Sequence, residues 1–259
     1  MIRASSKFAP YRIKPPASPG CHNGELPFAA YAMPRILALF ALLASAAAAH
    51  AARPMITDDA RLTDPQACQL ESWFHEHRER NEFWAQPACN PGGNFEVTFG
   101  GAMARAHGEM DSGAWMIQGK TLFKPLETNG YGIGFAAGYA TQPGAGQSGS
   151  PYFYVPASVS FADDRLVIHT NLGATRLRES AETRLTWGIG SEIQTTERLY
   201  LIAETYGQDK GNPFFQLGVR YWVVPNHVQI DTTYGSQTGN IHDERWISIG
   251  LRLISPRWF

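Results

Sequence analysis

From residue 67 onward, apolar and polar residues alternate with a period of two in segments of about ten residues, separated by clusters of Gly, Pro, Asn and Asp. Twelve such segments can be marked, at 67–77, 80–89, 94–104, 113–124, 131–141, 150–161, 165–175, 183–194, 198–206, 214–223, 228–235 and 245–254. Each is predicted to be a β-strand. Together they place roughly 60% of the chain after residue 51 in strand, well above what an ordinary globular domain holds. A sheet closed on itself accommodates that much strand without leaving open edges.

One face of the segments is apolar, as in Phe95, Val97 and Phe99, in Leu185, Trp187 and Ile189, or in Ile247, Ile249, Leu251 and Leu253. The other carries Gly, Thr, Gln and charged residues. The period alone does not say which face points inward, because a soluble barrel or sandwich alternates in the same way. Strand length decides in favour of a membrane, since 9 to 12 residues suit tilted strands that cross a bilayer. Connection length agrees: 90–93, 125–130, 162–164, 195–197 and 224–227 are short, whereas 105–112, 142–149, 176–182, 207–213 and 236–244 are longer. Only the tight turn at Arg78-Glu79 breaks this alternation. Short periplasmic turns with longer outer loops are the habit of outer-membrane barrels. Aromatics near the stripe ends, such as Trp115/Phe123 and Tyr131/Tyr139, fit interfacial girdles. The expected fold is therefore all-β, a single closed antiparallel transmembrane β-barrel of about twelve strands with both termini in the periplasm.

The region before the barrel reads differently. Met33-Pro34-Arg35, the apolar run from Ile36 to Ala49 and Ala49-His50-Ala51 form the n-region, h-region and cleavage site of a secretory signal peptide. The expected organisation is a misassigned N-terminal extension at 1–32, a signal peptide at 33–51, a periplasmic N-terminal segment at 52–66 and the barrel at 67–259. The whole chain carries a formal charge of −1, and removal of residues 1–51 leaves 17 basic against 22 acidic residues. Without a dense Lys/Arg run, nucleic acid is not an expected partner. After residue 51 no apolar run approaches the ~18 residues of a membrane helix. The expected partners are outer-membrane lipid and small solutes in the lumen.

Two cysteines remain after the signal peptide, Cys68 and Cys89, and export favours a disulfide between them. Pairing the first hairpin about its turn sets Cys68 opposite Cys89, Leu70 opposite Pro87, Phe74 opposite Phe83, Glu71 by Gln86, Trp73 by Trp84 and His75 by Glu82. Both faces are then consistent. The hairpin turning at Pro225-Asn226 likewise sets Arg220 opposite Asp231, Val219 opposite Thr232, Tyr221 opposite Ile230 and Val223 opposite Val228. An inward Arg220–Asp231 ion pair follows, extended by Glu204 on the neighbouring strand.

Candidate chemistry lies on the polar face. Glu71, Glu96, Lys120, Glu192, Glu204, Arg220, Asp231 and Arg252 are the candidate lumen-lining residues, and their mixed signs announce neither cation nor anion selectivity. Inward glycines at 132, 134, 138, 188 and 190 are expected to leave space, favouring a narrow pore over a solid core. His75 and His77 share a face with Glu82 and could hold a metal, but the simpler reading is strand-end histidines near a loop, so no metal or cofactor is expected. His169 faces inward beside Asn171. No Ser stands in a recognisable motif with a His, so no catalytic residues are assigned. Asp58-Asp59 could bind a cation at the periplasmic rim, although a turn or cap ordering the chain is the simpler reading.

The stretch Arg53-Pro54-Met55-Ile56-Thr57-Asp58-Asp59, followed by Gln69-Leu70-Glu71 opening the first strand, resembles the start of outer-membrane proteins of the meta-pathway of phenol degradation family. Glu204-Thr205-Tyr206-Gly207 and Gly218-Val219-Arg220-Tyr221-Trp222 are similar to that family's later strands. The resemblance implies an outer-membrane channel or transporter. The cysteine pair and the turn Cys89-Asn90-Pro91-Gly92-Gly93-Asn94 depart from the family pattern. The expected function is a passive, porin-like channel for small solutes, and the alternative is a non-conducting structural or surface-interaction barrel.

Overall fold

A computed structural model describes residues 55–259 apart from 107, 142–148, 179, 242–243 and 258–259. The expected extension and signal peptide lie outside these. Twelve strands follow in order: β1 Cys68–His77, β2 Arg80–Cys89, β3 Glu96–Ala106, β4 Glu109–Lys124, β5 Tyr131–Thr141, β6 Gly149–Phe161, β7 Leu166–Arg176, β8 Thr183–Gln194, β9 Leu199–Gln208, β10 Phe214–Val224, β11 Val228–Gln237 and β12 Trp246–Ile254. Every strand pairs antiparallel with its sequence neighbours, and β12 closes on β1 from Gln69↔Ile254 to His77↔Trp246. Closure gives every ladder hydrogen bond a partner, which is the condition for β-structure inside a bilayer.

The solvent pattern settles the orientation that the period left open. Along β12, Trp246, Ser248, Gly250, Arg252 and Ile254 are buried, while Ile247, Ile249, Leu251 and Leu253 are exposed. Phe99, Phe123, Leu185, Ile189 and Leu217 are likewise exposed on the outer wall. Charged residues are inside and large apolar side chains outside, an inversion that is stable only where the outer medium is hydrocarbon.

Registers follow the sequence closely. The first hairpin pairs Cys68↔Cys89, Leu70↔Pro87, Trp73↔Trp84 and His75↔Glu82, and a disulfide joins Cys68 to Cys89. Trp73 and Trp84 stack with ring centroids 5.5 Å apart. In the β10–β11 hairpin Arg220 faces Asp231 and Tyr221 faces Ile230, but the expected Val223–Val228 pair does not form. A bulge between Trp222 and Val224 shifts the register, so that Val224 pairs Val228. The extra residue lets the strand bend into a turn in which Asn226 takes φ 61°.

Candidate functional site

The expected lumen charges cluster toward one end of the barrel, where β1 begins and β12 finishes, here called the terminal end. Glu96, Lys120, Glu192, Glu204, Arg220, Asp231 and Arg252 are all buried, and Glu71 is half-buried. Arg252 donates to Gln69 Oε1 from both Nε, at 3.0 Å, and Nη2, at 2.6 Å, and its Nε stands 3.5 Å from Glu71 Oε1. Arg220 faces Asp231 in the ladder, while its Nη1 reaches Glu192 Oε1 on β8 at 2.9 Å. The expected extension of this pair by Glu204 is not what that carboxylate does.

Glu204 instead binds the N-terminal segment. Its Oε1 accepts the N–H of Ile56 at 2.7 Å and its Oε2 that of Thr57 at 2.8 Å, while Gln216 Nε2 donates to Oε1 from β10. From there the segment crosses the barrel interior. Asp58 exchanges two 2.8 Å hydrogen bonds with Asn171 on β7, through Asp58 N to Oδ1 and Asn171 Nδ2 to Asp58 O. Ala60 N donates to Ser158 Oγ on β6 at 2.9 Å. Thr63 gives both its N–H and its hydroxyl to Glu96 Oε2, at 2.8 and 2.6 Å. An irregular chain at membrane depth must find partners for its backbone groups, and here the barrel wall supplies them.

Asp58-Asp59 does cap the local chain, with Asp59 Oδ1 accepting from Arg61 N at 3.1 Å and Asp58 Oδ1 from Asp59 N at 2.9 Å, but it does so inside the barrel rather than at the rim. Asp59 is fully buried, and Lys120 Nζ lies 2.7 Å from Asp58 Oδ1 and 3.4 Å from Asp59 Oδ1. Tyr154 OH donates to Asp58 Oδ2 at 2.7 Å. Taking Lys120 out of water is costly, and two carboxylates carried in by the segment offset that cost.

The expectation that inward glycines leave open space is also corrected. A Cβ at Gly188 would stand 2.5 Å from Thr57 Oγ1 and one at Gly190 2.9 Å from Met55 Sδ, while one at Gly132 would stand 2.5 Å from Leu126 N and 3.0 Å from the Ala60 methyl. At Gly134 and Gly138 the space is taken by wall atoms, including Leu122 and Tyr152. Gly188 and Gly190 make room for the segment rather than for water, and Gly132 for the backbone at Leu126 as well as for Ala60.

The turn that departs from the family pattern anchors the segment where it leaves the lumen. Asn90, fully buried, donates from Nδ2 to Thr63 O at 2.7 Å, and Gln66 N donates to Asn90 O at 2.8 Å. Asn90 Oδ1 also accepts from Gly93 N at 2.7 Å, in a turn where Gly93 takes φ 97°, which L residues rarely adopt. The adjacent Cys68–Cys89 bridge staples the hairpin carrying this anchor.

Ser158 and His169, which sequence spacing did not connect, come together because β6 and β7 pair Ser158↔His169. Ser158 Oγ lies 2.8 Å from His169 Nδ1, and His169 Nε2 lies 3.6 Å from Glu192 Oε1. Both Ser158 and His169 are fully enclosed, with the Ser158 hydroxyl covered by Ala60.

Above the segment, toward the opposite end, the lumen opens into a vestibule. Two adjoining cavities of about 590 and 750 Å³ share Ile56, Tyr154, Thr186 and Gln208 in their linings. A smaller cavity of about 230 Å³, which shares Ile56 and Tyr154 with both, lies on the β1–β4 side, between the segment and the wall residues Glu71, Glu96 and Lys120. Tyr154, Asn171, Ser158 and Asn90 were missed as functional positions. Inward parity marks the first three as lumen residues, but no sequence signal pairs them with residues 58–63.

A family model described as "Uncharacterised conserved protein UCP029691" matches residues 38–254. No curated protein matches the sequence. Among solved structures, the chain is similar to one described as KdgM porin, with TM-score 0.58, 8% identity, and coverage of 71% of this chain and 98% of that one. It is also similar to NanC porin, with TM-score 0.54, 6% identity, and coverage of 74% and 100%. These likenesses establish the porin-type barrel. Membership of the meta-pathway of phenol degradation family, which the N-terminal motif suggested, is not what these likenesses show.

Proposed function

We propose that this chain, which belongs to the uncharacterised family UCP029691 and has an outer-membrane porin-type barrel, is a narrow channel for small solutes whose bore is set by its own residues 55–63. The observation that carries this reading is that the vestibule cavities and the smaller cavity share Ile56 and Tyr154 in their linings. In this reading the smaller cavity is a side passage that leaves the vestibule there and runs along β1–β4 beside the segment. Solutes follow this passage while the segment stays bound to Glu204, Asn171, Ser158 and Glu96. The terminal end faces the periplasm and the vestibule faces outward, consistent with the longer connections at that end. Phenolic compounds are one solute class to test, given the N-terminal likeness. A non-catalytic role is part of this reading, and the enclosure of the Ser158–His169–Glu192 series beneath Ala60 supports it.

The competing reading is a non-conducting structural barrel, favoured by the buried ion pairs and the hydrogen-bonded segment that fill much of the terminal half. Single-channel recording in a planar bilayer separates the two. Small, reproducible conductance steps in the wild type, enlarged in a variant lacking residues 52–62, are expected. Absence of steps in both proteins would support the structural barrel.

A further inference from the structure

His75 and His77 lie on β1 two residues apart, so the period of the strand sends both side chains to the inner face. The β1–β2 register sets Glu82 directly opposite His75. One potential ligand atom from each of His75, His77 and Glu82 lies within 4.8 Å of the others, on a hairpin closed by a two-residue turn. Ligand atoms around a tetrahedral zinc ion, with bonds of ~2.0–2.2 Å, stand about 3.4 Å apart. Side-chain rotation covers that difference, and the backbone need not move.

The surroundings hold these groups in place. The two imidazoles meet edge to face, with centroids 5.1 Å apart, and both pack against the buried Trp246 ring of β12 at 6.0 and 6.1 Å. Glu82 is buried, its Oε2 accepts from Trp84 Nε1 at 2.9 Å, and its Oε1 lies 2.9 Å from Arg80 Nε. An outer donor that orients a carboxylate, and aromatic packing that orients imidazoles, are what keep a metal site's ligands in position. Arg80 supplies a counter-charge that a bound cation would replace.

We propose that His75, His77 and Glu82 form a binding site for a divalent transition-metal ion at the vestibule end of the first hairpin. Two imidazole nitrogens and one carboxylate oxygen select Zn²⁺, Ni²⁺ or Cu²⁺ over Ca²⁺ and Mg²⁺, which prefer all-oxygen sets. Three protein ligands leave a coordination position for water or an incoming ligand. The site does not depend on whether the lumen conducts.

The test is calorimetric titration of ZnCl2 into untagged, chelator-stripped protein purified in detergent from the outer membrane. One Zn²⁺ per chain is expected, with no comparable heat from CaCl2. His75→Ala and His77→Ala should each weaken binding by more than about a hundredfold, exceeding the ~10–100-fold cost of losing an outer partner. His227→Ala, at the opposite end of the barrel, should leave it unchanged, and Arg80→Gln should tighten it severalfold by releasing Glu82. A second measurement needs no variant: Zn²⁺ should protect His75 and His77, but not His227, from diethylpyrocarbonate in the wild type, read by mass spectrometry. Wild-type binding no tighter than that of a His75→Ala/His77→Ala protein, or equal modification of all three histidines with and without Zn²⁺, would overturn the proposal.

Discussion

Glu204 holds the segment at Thr57: the Thr57 N–H donates to Glu204 Oε2 at 2.8 Å, across a sequence separation of 147 residues. The preceding N–H, of Ile56, takes the other carboxylate oxygen. One side chain thus accepts two consecutive backbone donors that would otherwise be buried without partners.

Glu204→Gln replaces one of those acceptor oxygens with an NH2 group that faces a donor. The expected cost is about 1–3 kcal/mol, that of a buried polar group left unsatisfied. Because the barrel ladders are untouched, the loss should appear locally, as faster hydrogen–deuterium exchange at residues 55–58 with unchanged heat-modifiable migration of the barrel. Protection equal to the wild type would show that Glu204 does not hold the segment.

Locking the segment distinguishes a fixed constriction from a moving plug. A Cβ at Gly188 would lie 3.4 Å from Thr57 Cβ, close to the ~3.5–4.5 Å that a disulfide spans. The oxidised Thr57→Cys/Gly188→Cys variant should conduct as its reduced form does, because the proposed passage runs beside the segment. Conductance that disappears on oxidation and returns on reduction would mean that the segment must leave for solutes to pass. A protein carrying only the native cysteines, treated in the same way, is the control.

Arg220→Gln removes the guanidinium that pairs with Glu192, at a ladder position opposite Asp231. The terminal half of the lumen becomes more negative, and ion preference should shift toward cations, measured as a change in reversal potential under a salt gradient. Loss of one partner of a buried pair costs about 3–5 kcal/mol, so a lower unfolding temperature should accompany the shift. Arg220 does not line the passage, so the effect is one of charge across the lumen, and a conducting variant with an unchanged potential would show that this charge is not felt there.

Mass spectrometry without reductant should find the peptides of Cys68 and Cys89 linked. Replacing both by Ser should lower stability by about 3 kcal/mol, the chain-entropy value for a loop of this length. The same substitution should raise exchange at Asn90 and Thr63 before it affects β7–β10, because the bridge staples the hairpin that anchors the segment.

The sequence by itself determined the wall of this protein. All twelve strands, the first-hairpin register with its Cys68–Cys89 bridge, and the Arg220–Asp231 alignment follow from a period of two and from turn residues, which are local signals. The period left open which face points inward; strand and connection lengths pointed to a bilayer, and in a bilayer a one-residue slip would expose charges such as Arg252 to lipid. Only the tertiary structure decided what fills the lumen. Residues 55–63 have no hydrophobic period, and their partners, Glu204, Asn171, Ser158 and Glu96, lie 33 to 148 residues away in the chain. Side chains aimed into a barrel meet across its interior as well as along the ladder. Arg220 could therefore be aligned with Asp231 from sequence, whereas its contact with Glu192, two strands away, could not. For the same reason Gly188 and Gly190 read as open space in sequence, and are the floor on which Thr57 and Met55 rest.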